Sequence, residues 1–229
     1  MTRLLVEVEG PTEETFVTEV LRTHLIEQGF IDVNPRILGN ARLRSNRGGI
    51  RSWPSVKVEI LRHLKSDSGL VVTTMVDYYG LPRSGSNGWP GRQQAAGVIF
   101  EKKADVVQDA LKADICSELG ESTEYCRFIP YVMMHEFEAM LFSDCASFAD
   151  AIDRPDLEAK FQAIRDQFGS PEEINDSSDT APSKRIVKLM PEYDKILHGY
   201  FAASDIGIEN IKSQCANFSA WLSNLESIP

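Results

Sequence analysis

The hydrophobic pattern changes period early in the chain. Residues 3–9 alternate between apolar and polar and predict a β-strand. Phe16, Val17, Val20, Leu21, Leu25 and Ile26 then recur at helical spacing, so a helix is expected from Pro11 to about Gln28, closed by Gly29. Pro11 suits its first turn, and Glu13 and Glu14 complement the helix dipole there. The segment IDVNPRIL reads as a second strand, which Pro35 confines to a sheet edge. A Gly-rich loop spans 39–52, and a helix is expected over 54–65 with Val56, Ile60, Leu61 and Leu64 on one side. GLVVTTMVD, residues 69–77, is an uninterrupted apolar and β-branched run, as expected of a strand buried on both faces. After a long Gly/Pro-rich loop come a helix over 93–119 and a last strand in RFIPYVMM. Beyond about residue 135 only helices are predicted, over 136–143, 145–152, 155–168, 183–190 and 208–226, with 169–183 as a linker. This order predicts an α/β fold: a mostly parallel four-stranded sheet flanked by helices in residues 1–143, and a carboxyl-terminal helical extension, 144–229, packed on the same domain.

Composition narrows the class. Of 229 residues, 42% are hydrophobic and 25% charged, enough apolar material for a packed core. The amino terminus reaches glutamate after six residues, which predicts no secretion signal, and no apolar run approaches membrane-spanning length. A cytoplasmic protein without a membrane partner is the expectation. Cys116, Cys126, Cys145 and Cys215 form no C-x-x-C pair and have no histidine at ligand spacing, so four buried thiols are expected rather than a zinc site.

Charge is unevenly distributed. The net charge is −10, which argues against indiscriminate coating of nucleic acid. Residues 36–65, however, hold six arginines and two lysines against Glu59 alone, a net of +7 that leaves −17 on the rest. Arg42, Arg44, Arg47 and Arg51, interleaved with glycines and Trp53, form a candidate phosphate-binding stretch; the plainer reading is a solvated loop and helix face.

The acids carry the candidate chemistry. In open parallel sheets ligands sit beyond the carboxyl ends of the strands. The first predicted strand ends at Glu9, the third at Asp77, and the fourth runs into His135, Glu136 and Glu138. Carboxylates delivered to one edge would suit Mg²⁺ or Mn²⁺, which take hard oxygen donors and leave positions for a phosphodiester. Glu13 lies four residues past Glu9 across the turn and could face the same ion, whereas Glu14 should point away. Glu136 and Glu138 share a face only if the chain is extended there; otherwise one alone can ligate, and Glu138 is preferred. His135 could act as base or ligand, though a lone histidine at a strand end is more often structural. Lys195 and the final helix read as packing, with Phe218, Trp221, Leu222 and Leu225 on its core face.

The stretches VEGPTE, MVDYYGLP and HEFEAMLFSD resemble the Toprim superfamily of topoisomerases, primases and OLD-type nucleases. With SKRI at 183–186 and CANFSAW at 215–221, the chain more narrowly resembles a bacterial Toprim-like family often encoded beside an ABC-type ATPase. The resemblance implies a Toprim-like fold. It makes Glu9 a ligand or general acid/base, Glu13 and Asp77 further ligands of Mg²⁺ or Mn²⁺, and Glu138 the acid of the third motif, with Glu136 or Glu138 able to compensate for an aspartate that the chain lacks. The second aspartate of the usual D-x-D pair is replaced by Tyr79. Lys184 is the candidate charge stabiliser and Arg185 a candidate backbone contact; the alternative for SKRI is a helix start capped by Ser183. The implied function is metal-dependent hydrolysis of DNA or RNA, as the effector of an ATPase-linked anti-phage system. The alternatives are a non-catalytic subunit docked on such an ATPase, and hydrolysis of a small phosphoester.

Overall fold

In the computed structural model, residues 2–38, 49–174 and 180–229 are described. Strand β1 (Arg3–Val8) pairs in parallel with β2 (Asp32–Ile37) on one side and with β3 (Leu70–Asp77) on the other. Two short strands, β4 (Phe128–Ile129) and β5 (Val132–Met133), continue the sheet along the far side of β3, again in parallel. The α/β class and the mostly parallel sheet are as expected, with five strands instead of four. β2, with its proline, is an edge strand.

The last strand is split because Pro130 lacks the N–H a continuous ladder needs. Two threonine hydroxyls of β3 make good the loss. Thr73 Oγ1 donates to the Ile129 carbonyl, and Thr74 Oγ1 donates to the Tyr131 carbonyl at 3.0 Å while accepting from the Tyr131 N–H at 3.1 Å. Threonine inside an otherwise apolar buried strand is thereby satisfied.

Pro11–Phe16, Val17–Leu21 and Arg22–Glu27 run on as one helix, α1, with a π-helical middle. Helix α2 is Trp53–Ser66. The helix expected over 93–119 is interrupted: α3 (Arg92–Ala95) ends before Gly97, and α4 (Phe100–Leu119) starts afresh. The carboxyl-terminal part comprises α5 (Cys145–Ala151), α6 (Glu158–Arg165), α7 (Pro182–Leu189), α8 (Leu197–Ile206), α9 (Ile208–Gln214) and α10 (Ala216–Glu226). α8 was not anticipated, and the expected single helix over 208–226 breaks at Cys215.

The sheet is covered on both faces. Leu4, Val6 and Val8 of β1 and Val71 and Met75 of β3 share a core with α1 and the carboxyl-terminal helices; Val72 and Val76 share the other with α2 and α4. Trp53 belongs to this second core. Its ring packs on Trp89 at 5.0 Å, and its Nε1 donates to Asp114 at 2.6 Å. The tail is tied to the sheet by polar bonds: Trp221 Nε1 donates to Thr73 Oγ1 at 2.9 Å, and Asn217 Nδ2 to the Val132 carbonyl at 2.8 Å. Glu172, in the segment read as a linker, is buried and accepts from the N–H groups of Asn217 and Phe218 at the start of α10. The expectation of four free thiols is corrected. Cys116 near the end of α4 and Cys126 lie 5.8 Å apart at Cα and are joined as a disulfide, while Cys145 and Cys215 are free and buried. Among the described residues no helix is long and apolar enough to cross a membrane.

Candidate functional site

Parallel pairing of β1 and β3 brings their carboxyl ends together. Val8 is in register with Met75, so Glu9 comes level with Val76, one residue before Asp77, and the Asp77 N–H donates to Glu9 Oε2 at 3.3 Å. The chain then turns at Gly10 into α1, and Glu13 folds back to accept from the Gly10 N–H at 3.0 Å. This capping bond gives Glu13 a local role, yet its carboxylate still faces inward. From β5 the chain passes through Glu136, still extended, into a 3₁₀ helix, Phe137–Ser143, whose first turn carries Glu138. Glu9, Glu13, Asp77, Glu136 and Glu138 all line one pocket of about 360 Å³. Glu136 is still extended and Glu138 already helical, and both line the same cavity.

The pocket also contains a cation that sequence reasoning assigned to packing. Lys195 Nζ lies 3.2 Å from Glu138 Oε1 and 3.9 Å from Glu136 Oε1. Its segment, between α7 and α8, has no periodicity that would have singled it out. The only signal was a lysine preceded by two acids in PEYDK. Lys184 does not join it. Ser183 donates its backbone N–H to Glu136 Oε2 at 2.9 Å, and the next side chain, turned by about 100°, is exposed outside the pocket. Arg185 is engaged within the chain: its Nε donates to the Thr180 carbonyl at 2.7 Å and its guanidinium lies 5.2 Å over Phe168. Arg51 turns toward Glu59 at 3.6 Å. Arg42, Arg44 and Arg47 lie outside the described residues.

The electrostatics are those of crowded, poorly hydrated acids. Burial raises the pKa of Asp77 well above the usual carboxylate range, and the charges of Glu9, Glu13, Glu138 and Glu136 push it further. Burial likewise raises Glu9, Glu13 and Glu138; Lys195 opposes the shift in each, and in Glu9 so does the Asp77 N–H. Burial alone would lower the Lys195 pKa, but Glu138 and Glu136 more than reverse it, so the ammonium is held. Asp77 Oδ1 is buried without a hydrogen-bond partner among the described residues. Five acids against one lysine, with a carboxylate oxygen left unpaired, make a pocket short of positive charge. The donors are hard oxygens, the type Mg²⁺ and Mn²⁺ take. Among the described residues, however, no three His, Cys, Asp or Glu side chains already stand close enough together to form a cage.

The turn after Asp77 packs behind the pocket and does not line it. Arg92, fully buried, donates from Nε to the Tyr78 carbonyl at 2.8 Å and lies 3.7 Å over the Tyr78 ring. Gly80 of this turn lies close to the acids: a Cβ there would meet Glu9 Oε2 at an ordinary 3.6 Å and Ile50 at a tight 3.1 Å. His135 does not line the pocket. It is stacked between Tyr79 and Phe100, and burial together with Lys103 pushes its pKa down to about 4.

Neither the curated proteins nor the solved structures contain a match to the chain. A family model does match: residues 8–226, almost the whole chain, fit the family described as Domain of unknown function (DUF4276), and the protein belongs to that family.

Proposed function

We propose that the protein is a divalent-cation-dependent nuclease that hydrolyses phosphodiester bonds in DNA or RNA. The observation that supports this reading most directly is the convergence of Glu9, Glu13, Asp77, Glu136 and Glu138, from three separate chain segments, on one pocket where a single lysine stands against five acids. Glu9, Asp77 and Glu138, with Glu13 and Glu136 beside them, would hold Mg²⁺ or Mn²⁺. Bound there, the ion would neutralise the carboxylates, orient water and stabilise charge developing on the phosphate. Lys195, with its side chain about half exposed at 47%, would meet a phosphate oxygen and takes the role that the sequence motif suggested for Lys184. Glu13 keeps the strand-to-helix corner closed through Gly10, which holds Glu9 over the pocket. Placement in the cytoplasm, beside an ABC-type ATPase in anti-phage defence, is part of the same proposal. It rests on the motif resemblance; in that compartment the Cys116–Cys126 bond would be open to reduction.

A second reading, a non-catalytic subunit with a vestigial acidic pocket, draws on Tyr79 standing in place of the second aspartate and on the open spacing of the donors. Two measurements separate them. Calorimetric titration with Mn²⁺ should give binding heat for the native protein and none for Glu9→Ala or Asp77→Ala. Manganese-dependent cleavage of single-stranded DNA, duplex DNA and tRNA should fall by about 10²–10³ in rate for Lys195→Met. Heat that survives both acid substitutions removes the metal site, and metal binding without cleavage of any substrate favours the vestigial reading.

A further inference from the structure

Tyr78 and Tyr79 follow Asp77 on one tight turn, yet their environments are opposite. Tyr78 is buried under Arg92, while Tyr79 is 48% exposed. A single exposed aromatic is unremarkable by itself. What distinguishes Tyr79 is its backing. Its ring lies 5.0 Å from the His135 ring, only 9° from parallel, and His135, 3% exposed, stacks in turn on Phe100 at 5.8 Å. Tyr78 meets Tyr79 edge-on at 5.0 Å. His135 and the rings behind it are thus stacked on Tyr79, the Arg92 guanidinium lies 5.8 Å from the ring centroid, and about half of the residue is still open to solvent. Such a side chain is already ordered, so a partner stacking on it costs little further conformational freedom.

The location supplies the partner. The turn carrying Tyr79 reaches the carboxylate pocket through its next residue, Gly80, at Glu9. Arg83, exposed on the following loop, bears electrostatically on Tyr78, and Lys103 of α4 bears on His135. A half-exposed ring one residue from the turn's approach to Glu9, with the Arg92 guanidinium 5.8 Å from its centroid and Arg83 exposed on the loop that follows, matches a base carried next to a phosphate.

We propose that Tyr79 is a stacking platform for an unpaired nucleobase next to the bond that is cut, so that the substrate is a single strand or a splayed-out segment of DNA or RNA. This rests on the nuclease reading and narrows its substrate class. A base within a duplex has both faces covered by its neighbours and would have to be unstacked first. Stacking on an aromatic side chain tolerates any base, so the platform selects strandedness and not sequence.

The test is fluorescence anisotropy on the full chain, with Ca²⁺ present to shield the acids. The probes are labelled oligothymidylate, oligouridylate, the same strands with an abasic spacer, and a blunt DNA duplex. At least one single strand should bind more tightly than the duplex. Tyr79→Ala should weaken that binding by about 5- to 150-fold, the equivalent of about 1–3 kcal/mol for one lost base stack. Tyr79→Phe should retain it. The abasic strand should bind the native protein as weakly as the intact strand binds Tyr79→Ala, with no further loss when both changes are combined. The arm that depends on Tyr79 identifies the sugar. Thermal melting of Tyr79→Ala should still give one cooperative transition, somewhat lowered by the lost contact with His135, so that weaker binding is not loss of the fold. If Tyr79→Ala binds single strands as well as the native protein does, or the duplex binds as tightly as either strand, the platform is wrong while manganese-dependent cleavage can still stand. If no nucleic acid binds and none is cut, the nuclease reading falls and takes the platform with it.

Discussion

Glu7 offers a sharp test of the electrostatic reasoning, because its burial cost can be separated from everything else by pH. It sits in the middle of the sheet, in register with Arg36 on β2 and Thr74 on β3. It is 0% exposed, and neither carboxylate oxygen has a hydrogen-bond partner among the described residues; the nearest basic group is His63 Nε2 at 3.9 Å. Burial pushes its pKa up to about 7, against the pull of Arg36 and Arg62 and with a push from Glu59. Between its ordinary value near 4.5 and about 7 the folded protein therefore binds a proton that the unfolded chain has released. Stability attributable to this residue is intact below the lower value and falls as pH rises to the upper one, by about 3 kcal/mol in all. Glu7→Gln removes the titration while keeping the shape. Urea melts of both proteins in excess chelator, from about pH 4.5 to about pH 8, should show the variant gaining about 3 kcal/mol on the native protein across the range, with unchanged m-values. Any fixed offset from the amide cancels, as do the other acids common to both. A stability difference that stays flat with pH, or that levels off near the ordinary glutamate value, would refute the claim that burial governs this carboxyl.

Two further predictions concern the fold. Gly91 has φ +74°, and a Cβ there would stand 2.5 Å from the Val106 carbonyl oxygen and 2.9 Å from Val107 Cα. Gly91→Ala should therefore destabilise by at least about 2–3 kcal/mol in chemical denaturation, from overpacking against α4 backbone together with the positive φ. Reducing the Cys116–Cys126 bond, or replacing both residues by serine, should cost about 2–3 kcal/mol as a lowered melting temperature, since the closed loop is short; no change on adding a reductant would show the two thiols to be unlinked.

Much of the sheet was legible because its strands carry one simple signal each. The run ending at Asp77 is apolar on both sides as a central strand must be, and Pro35 marks the edge. The acids were legible as strand endings, and parallel pairing then brought them together. What escaped the sequence depends on contacts made from a distance. Lys195 reaches the pocket from 57 positions beyond Glu138, along a segment with no repeating pattern. The split at Pro130 is tolerated only because Thr73 and Thr74 lie opposite, a fact of register. α8 hides its period because its buried positions include Gly199, Ala202 and Ala203, small residues that binary patterning does not count as a core stripe. The pairing of Cys116 with Cys126 depends on the path of the loop between them, which no spacing rule specifies.

The bonds from Trp221 and Asn217 into the middle of the sheet have a consequence for the order in which the molecule is made. Glu138, the last of the five acids to be synthesised, precedes Trp221 by 83 positions. At about 5–20 residues per second that is a delay of roughly 4–17 s. Throughout it the strand bearing Asp77 lacks the indole that satisfies Thr73, and the segment leading to Glu136 lacks the amide that holds Val132. The nascent chain therefore carries every acid of the pocket before it holds them in place, and whatever chemistry they perform waits for translation to pass the last helix.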